Sequence, residues 1–152
     1  LSDLTGIREN FASVPPGIRA TQLPAPDLKK HDREKIGDIE FLKVFGMPER
    51  QTVCECERGD DSSLGQALEL FNGKTLHGML SDQNNRFHLA RQEKQATEAI
   101  LTDLYLRAFS REPNEEEKKI AVEYFDTARD KGQALEDIVW VAINRDEFLF
   151  QY

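Results

Sequence analysis

The sequence predicts an all-α protein, a small multi-helix bundle preceded by an irregular, proline-rich N-terminal arm. Three observations carry this. Apolar residues recur at i, i+3, i+4 and i+7 in several separate stretches, helix-capping residues bracket those stretches, and no run alternates apolar with polar as a half-buried strand does.

The opening "LSDLTG" reads as the last turn of a helix closed by Gly6 in the left-handed conformation. Because the chain starts within a turn and without methionine, it is expected to be a fragment of a larger protein. Residues 7–37 contain four prolines within twelve positions, at 15, 16, 24 and 26, which forbids regular helix and favours extended chain. Ile18, Leu23 and Leu28 give this arm apolar anchors. Residues 1–37 are therefore the tail of a truncated helix plus an extended arm, and 38–152 the helical domain, the whole forming one structural domain.

"DIEFLKVFG" is a short helix with Asp38 at its start and Gly46 at its end. Residues 47–61 form a loop. Ser62 or Ser63 then caps a helix whose inward row is Leu64, Ala67, Leu68 and Phe71, ended by Asn72 and Gly73. A helical stretch over 75–80 precedes the polar break "SDQNN". The next helix runs from about Glu93 to Ser110 with Ile100, Leu101, Leu104, Tyr105 and Ala108 inward, and Pro113 stops it. Asn114 and Glu117 are spaced as a capping box, which opens a helix with a buried stripe of Ile120, Ala121, Tyr124, Phe125 and Ala128, ended by Gly132. Leu135, Ile138, Val139, Ala142 and Ile143 define the last amphipathic helix, and the aromatic tail "RDEFLFQY" packs back on the bundle.

The chain has 152 residues, enough to bury a hydrophobic core, and carries a formal charge of −8. With 28 acidic against 20 basic residues and no basic cluster, nucleic acid is not an expected partner. No apolar run approaches the roughly 20 residues that span a bilayer, so membrane insertion is not expected either. No signal peptide is visible.

The densest chemistry is "CECER", which holds both cysteines, Cys54 and Cys56. In extended chain the two thiols share one side and Glu55 and Glu57 the other. The Cα atoms of residues i and i+2 then sit roughly 6.5 to 7 Å apart, at the upper limit for a disulfide, so a direct bond requires a local turn. Two thiolates alone leave zinc or copper short of ligands. The expectation is a strained disulfide or buried free thiols anchoring the loop, with a metal site the less favoured reading. Arg50 and Arg58, beside Glu55 and Glu57, either brace the loop by bidentate pairing or present an anion site, the bracing role leading. Arg107 and Arg111 are expected to brace the capped helix that follows them. His31, His77 and His88 are read as surface or packing residues, and Asp60 with Asp61 as negative charge at a helix start rather than a calcium site or an acid pair. No strained nucleophile motif surrounds any serine. No catalytic residue is assigned.

"PPGIRATQLP", "FLKVFGMPER", "CECER", "LGQALELFNG", "LYLRAFSREP" and "ALEDIVWVAINRDEFLF" occur in the order and spacing of one family. The chain resembles the C-terminal part of the planctomycete-specific domain of unknown function fifteen fifty-three, over nearly all its length. The resemblance implies a large exported protein in a periplasmic or otherwise extracytoplasmic setting. It implies no established reaction and no agreed catalytic set. Members commonly carry further domains toward the N-terminus, sometimes a c-type cytochrome. Covalent heme needs CxxCH, which CECE lacks, so no cofactor is expected within this fragment and a c-type heme is admitted only in a separate upstream domain.

Two functions remain open. The favoured one is a noncatalytic structural or interaction module whose partners are upstream domains of the same polypeptide, or a cell-envelope or polysaccharide component. The alternative is part of a metal-dependent or redox enzyme using Cys54 and Cys56 with groups supplied from upstream.

Overall fold

The computed structural model describes residues 1–8, 15, 17–19, 22, 39–45 and 64–149. The chain is all-α, with no strand among the described residues. In order, the helices are Ser2–Thr5 (α1), Ile39–Val44 (α2), Leu64–Asn72 (α3), Lys74–Ser81 (α4), Arg86–Gln92 (α5), Thr97–Phe109 (α6), Glu115–Thr127 (α7), Lys131–Ile143 (α8) and Asp146–Leu149 (α9). Among the described residues no helix is long and apolar enough to cross a membrane.

The chain divides into two units, one comprising Leu1–Ile7 with His77–Tyr152 and the other Arg8–Leu76. The boundary expected between residues 37 and 38 lies outside the described residues, as do Asp38, Gly46, Ser62 and Ser63, the expected caps of α2 and α3. In the second unit α2 packs on α3, and the Gln66 side-chain amide donates to the Val44 carbonyl at 2.9 Å, satisfying an orphan acceptor at the end of α2. Phe41 and Phe45 stack along α2 with ring centroids 4.6 Å apart. The expected inward row of α3 needs correction. Leu68 is 54% and Phe71 45% exposed, whereas Leu70 is buried. Helical spacing marks an apolar row, but the row that is covered depends on where the neighbouring chain lies.

In the first unit α6 is the central element, packing against α1, α5, α7, α8 and α9. Its inward residues are those expected: Ile100, Leu101, Leu104, Tyr105 and Ala108 are all buried. They meet Ala134, Leu135, Val139, Ala142 and Ile143 of α8, with Phe87 of α5 and Leu4 of α1 completing the core. Each fully buried large aliphatic or aromatic side chain contributes about 1.5–3 kcal/mol of transfer free energy, which is why these short helices hold together. Gly6 closes α1 at φ 77, and its N–H donates to the Ser2 carbonyl at 2.9 Å. That is the left-handed glycine cap that "LSDLTG" predicts.

Two boundaries differ from expectation. The helix expected from Glu93 is two elements: α5 ends at Gln92, Lys94 takes φ 60, and α6 begins at Thr97. The far end of α6 is capped by Ser110 at φ 56, where the sequence places it, three residues before Pro113. Gly132 does not stop α7, which ends at Thr127. It sits instead in the first turn of α8, where the Asp130 side chain caps by accepting from Gly132 N at 2.8 Å and Gln133 N at 3.1 Å. The orphan carbonyls of α7 are taken by a side chain rather than by a glycine turn, since Lys131 Nζ donates to Phe125 O at 2.6 Å and Asp126 O at 2.8 Å.

The capping box of α7 is present as expected. Asn114 Oδ1 accepts from Glu117 N, and a Glu117 carboxylate oxygen accepts from Asn114 N, both at 2.8 Å. The stripe behind it is wider than the interface it serves. Ala121, Phe125 and Ala128 are half-buried, but Ile120 is 62% and Tyr124 46% exposed. Phe148 and Leu149 of α9 are half-buried where that turn packs on α6 and α8, so the tail does fold back onto the bundle up to Leu149.

Candidate functional site

Cys54, Cys56, Arg50, Glu55, Glu57 and Arg58 all lie outside the described residues. The ionisable cluster that the described residues do show is elsewhere, where the ends of α6 and α8 meet the start of α7 and the turn α9. Tyr105 and Phe109, one turn apart on α6, stack edge to face with centroids 5.0 Å apart. The guanidinium of Arg111 lies 5.3 Å from the Tyr105 ring centre and 5.5 Å from that of Phe109. Arg145 lies 5.2 Å from Phe109. Both cations thus rest on aromatic faces that attract them.

Arg111 reaches two carboxylates in fork geometry. Its Nη1 and Nη2 donate to the two oxygens of Glu117 at 2.9 and 3.0 Å, and its Nε and Nη2 to the two oxygens of Glu147 at 2.6 and 2.8 Å. Nη1 also donates to the Glu112 carbonyl at 3.1 Å. A guanidinium has five N–H groups, and here five acceptors take them. Arg145 donates from Nη1 to Glu117 at 2.7 Å and to the Tyr105 hydroxyl at 3.2 Å, with its Nη2 3.6 Å from Glu147.

The electrostatics follow from this geometry. Hydrogen bonding from Arg111, helped by the Asn114 backbone and by Arg145 against the cost of burial, holds the Glu117 carboxyl down at about 2, from an ordinary 4.5. Glu147 is lowered for the same first reason, its bonds to Arg111. The bonds to Glu117 raise both Arg111 and Arg145. Tyr105 is raised chiefly by burial and next by the Glu117 charge.

A second polar centre is buried. His88 of α5 is 2% exposed, with Nε2 3.1 Å from the Leu80 carbonyl and 3.2 Å from Glu136 Oε1. A carbonyl can only accept, so Nε2 carries the hydrogen. Nδ1 is buried without a hydrogen-bond partner. Nearby, buried Asn85 accepts from Phe87 N at 2.9 Å as the cap of α5 and donates to Met79 O at 2.9 Å, tying the end of α4 to the start of α5.

Of the residues singled out in the sequence, Arg111 braces the capped helix as expected, but Arg107 does not. It pairs with Asp103 within its own helix at 2.9 Å. His88 is a packing residue, His77 is exposed on α4, and His31 lies outside the described residues. Sequence reasoning missed Arg145, Glu147 and Glu136, whose partners lie too far along the chain for any local spacing to reveal, and also Asn85, whose cap of Phe87 N two residues on is a local signal. Among the described residues no group of three or more His, Cys, Asp or Glu side chains could hold a metal ion.

The described site therefore defines a helical module whose charged groups satisfy one another. The family described as "Protein of unknown function (DUF1553)" matches residues 28–125, and the chain belongs to it. That match includes "CECER" and "LYLRAFSREP", while "PPGIRATQLP" and "ALEDIVWVAINRDEFLF" fall outside it. No curated protein and no solved structure was found to match the chain.

Proposed function

We propose that this chain is a noncatalytic structural or interaction module of a larger extracytoplasmic protein, with the other domains of that polypeptide as its first partners. The observation that supports this most is the state of Arg111, whose five N–H groups all face acceptors of the chain itself. A ligand-binding arginine keeps part of its fork open to an incoming carboxylate or phosphate, and one that is fully engaged is a brace. The extracytoplasmic setting rests on the family resemblance alone.

The test is elemental analysis and absorption spectroscopy of the purified chain, with intact mass before and after alkylation without reductant. The module reading expects no stoichiometric metal or chromophore. Stoichiometric zinc or copper that disappears in Cys54→Ser would overturn it in favour of a metal-dependent site.

A further inference from the structure

Two contacts fasten α7 to α8 like rungs. Tyr124 Oη donates to Asp137 Oδ2 at 2.6 Å, and Arg145 Nη1, just beyond α8, donates to Glu117 Oε1 at 2.7 Å. The helices are antiparallel, so positions between the rungs on one helix face positions between them on the other. Ile120 lies three residues from Glu117 and four from Tyr124, and Val141 lies four from both Asp137 and Arg145, which puts the two at one level on adjoining rows. A paired level of this kind is where an antiparallel seam normally closes over its apolar side chains. Here Ile120 is 62% and Val141 54% exposed, with the Tyr124 ring beside them 46% exposed.

The charges around this apolar notch are mainly acidic, and Arg145, one turn beyond Val141, is bound to Glu117. Glu116 and Glu123, both exposed, lie one turn to either side of Ile120, and Asp137 lies one turn from Val141. The lysines of the two helices are occupied or turned aside. Lys118 pairs with Glu115 and Lys131 with carbonyls of α7, while Lys119 sits about 100° around the helix from Ile120.

We infer that the α7–α8 seam at Ile120 and Val141 docks a basic amphipathic helix, which places an apolar side chain in the notch and lysine or arginine toward Glu116, Glu123 and Asp137. This deepens the interaction-module reading and rests on it. Charge complementarity selects the occupant. A second copy of this acidic chain, formally −8, would bring carboxylates against carboxylates.

The probe is a synthetic helical peptide with a leucine stripe flanked by lysines, and its control carries glutamates in place of the lysines. Trp140, the only tryptophan, adjoins Val141 and reports by fluorescence. Saturable binding of the lysine peptide alone is expected, weakened about tenfold or more by I120S/V141S, since each buried aliphatic side chain carries at least that much. E116Q/E123Q should weaken it without unfolding, because both side chains are exposed. Equal binding of the two peptides, unchanged binding by I120S/V141S, or no binding would each overturn the assignment, as would self-association of the chain through this face in sedimentation. A null peptide result in a metal-free chain sinks the seam alone, whereas a metal lost with Cys54→Ser sinks the module reading beneath it.

Discussion

Arg111 Nε lies 2.6 Å from Glu147 Oε1, joining residues 36 positions apart and closing the turn α9 onto the start of α7. The same guanidinium holds Glu117, so one side chain fixes both α7 and α9 to the end of α6. Removing it takes the forks from both carboxylates and a donor from the Glu112 carbonyl, and leaves Glu117 only Arg145 and the Asn114 N–H. Arg111→Ala should cost about 1–2 kcal/mol, the range for a partly exposed charged hydrogen-bond network. Arg111→Lys should recover only a minor part, since an ammonium cannot make two forks. Urea midpoints for the two variants check this. A lysine variant as stable as the parent would show that charge alone, not fork geometry, supports the junction.

The lowered Glu117 carboxyl makes stability depend on pH in a defined direction. Its folded value, about 2, lies below its ordinary 4.5, so its contribution is fully present above about pH 4.5. It is lost as pH falls from there through about 2, because the unfolded chain takes up the proton first. Glu147, lowered by the same arginine, adds in the same sense. Denaturant unfolding between pH 5 and 2 should therefore show a steeper loss in the parent than in Glu117→Gln. Parallel curves for the two proteins would refute the assignment of this acid sensitivity to Glu117.

How much of this was legible in the sequence depends on the distance over which each signal acts. The capping box of Asn114 and Glu117, the glycine cap at Gly6 and the inward row of α6 are local, because a helix sets the geometry of residues three or four apart. All three stand in the structure. The errors come from tertiary placement. Leu68, Phe71, Ile120 and Tyr124 have helical spacing but lie on rows left uncovered, which spacing cannot reveal. Gly132 was expected to end a helix because glycine favours that position, yet here Asp130 two residues earlier captures its N–H and opens α8. The brace was half visible. Arg111 and Glu117 are six apart and suggested a local tie, whereas Arg145 and Glu147 join them only through the fold.

Asn85 shows how a residue in a polar break can be structural. It was part of "SDQNN", yet it is 2% exposed, caps α5 through Phe87 N and holds the Met79 carbonyl at the end of α4. Asn85→Ala leaves a helix N-terminus uncapped and a buried carbonyl without its donor. The loss should be about 2 kcal/mol, near the upper end for a cap because a second buried bond goes with it. Asn85→Asp keeps the cap but sets a buried carboxylate oxygen against the Met79 carbonyl, so it should be no more stable than the alanine variant in thermal unfolding. An alanine variant within experimental error of the parent would show that water replaces both bonds.

His88 makes the sharpest prediction about a single proton. Two acceptors, the Leu80 carbonyl and Glu136, converge on Nε2, and Nδ1 lies against the core with no hydrogen-bond partner. The neutral ring must therefore be the tautomer with hydrogen on Nε2, since the opposite one would bury an N–H without an acceptor and set a lone pair against a carbonyl. Nitrogen NMR of the labelled chain reads this directly, with a pyrrole-type shift expected at Nε2 and a pyridine-type shift at Nδ1. The same geometry predicts the effect of substitution. His88→Phe fills the space but leaves the Leu80 carbonyl buried and unpaired, at a cost of about 1–3 kcal/mol. His88→Gln, which can return a donor from its amide to that carbonyl, should restore part of the loss. If the nitrogen shifts instead show hydrogen on Nδ1, or if phenylalanine is tolerated as well as glutamine, the bond to Leu80 is not what keeps this histidine in the core.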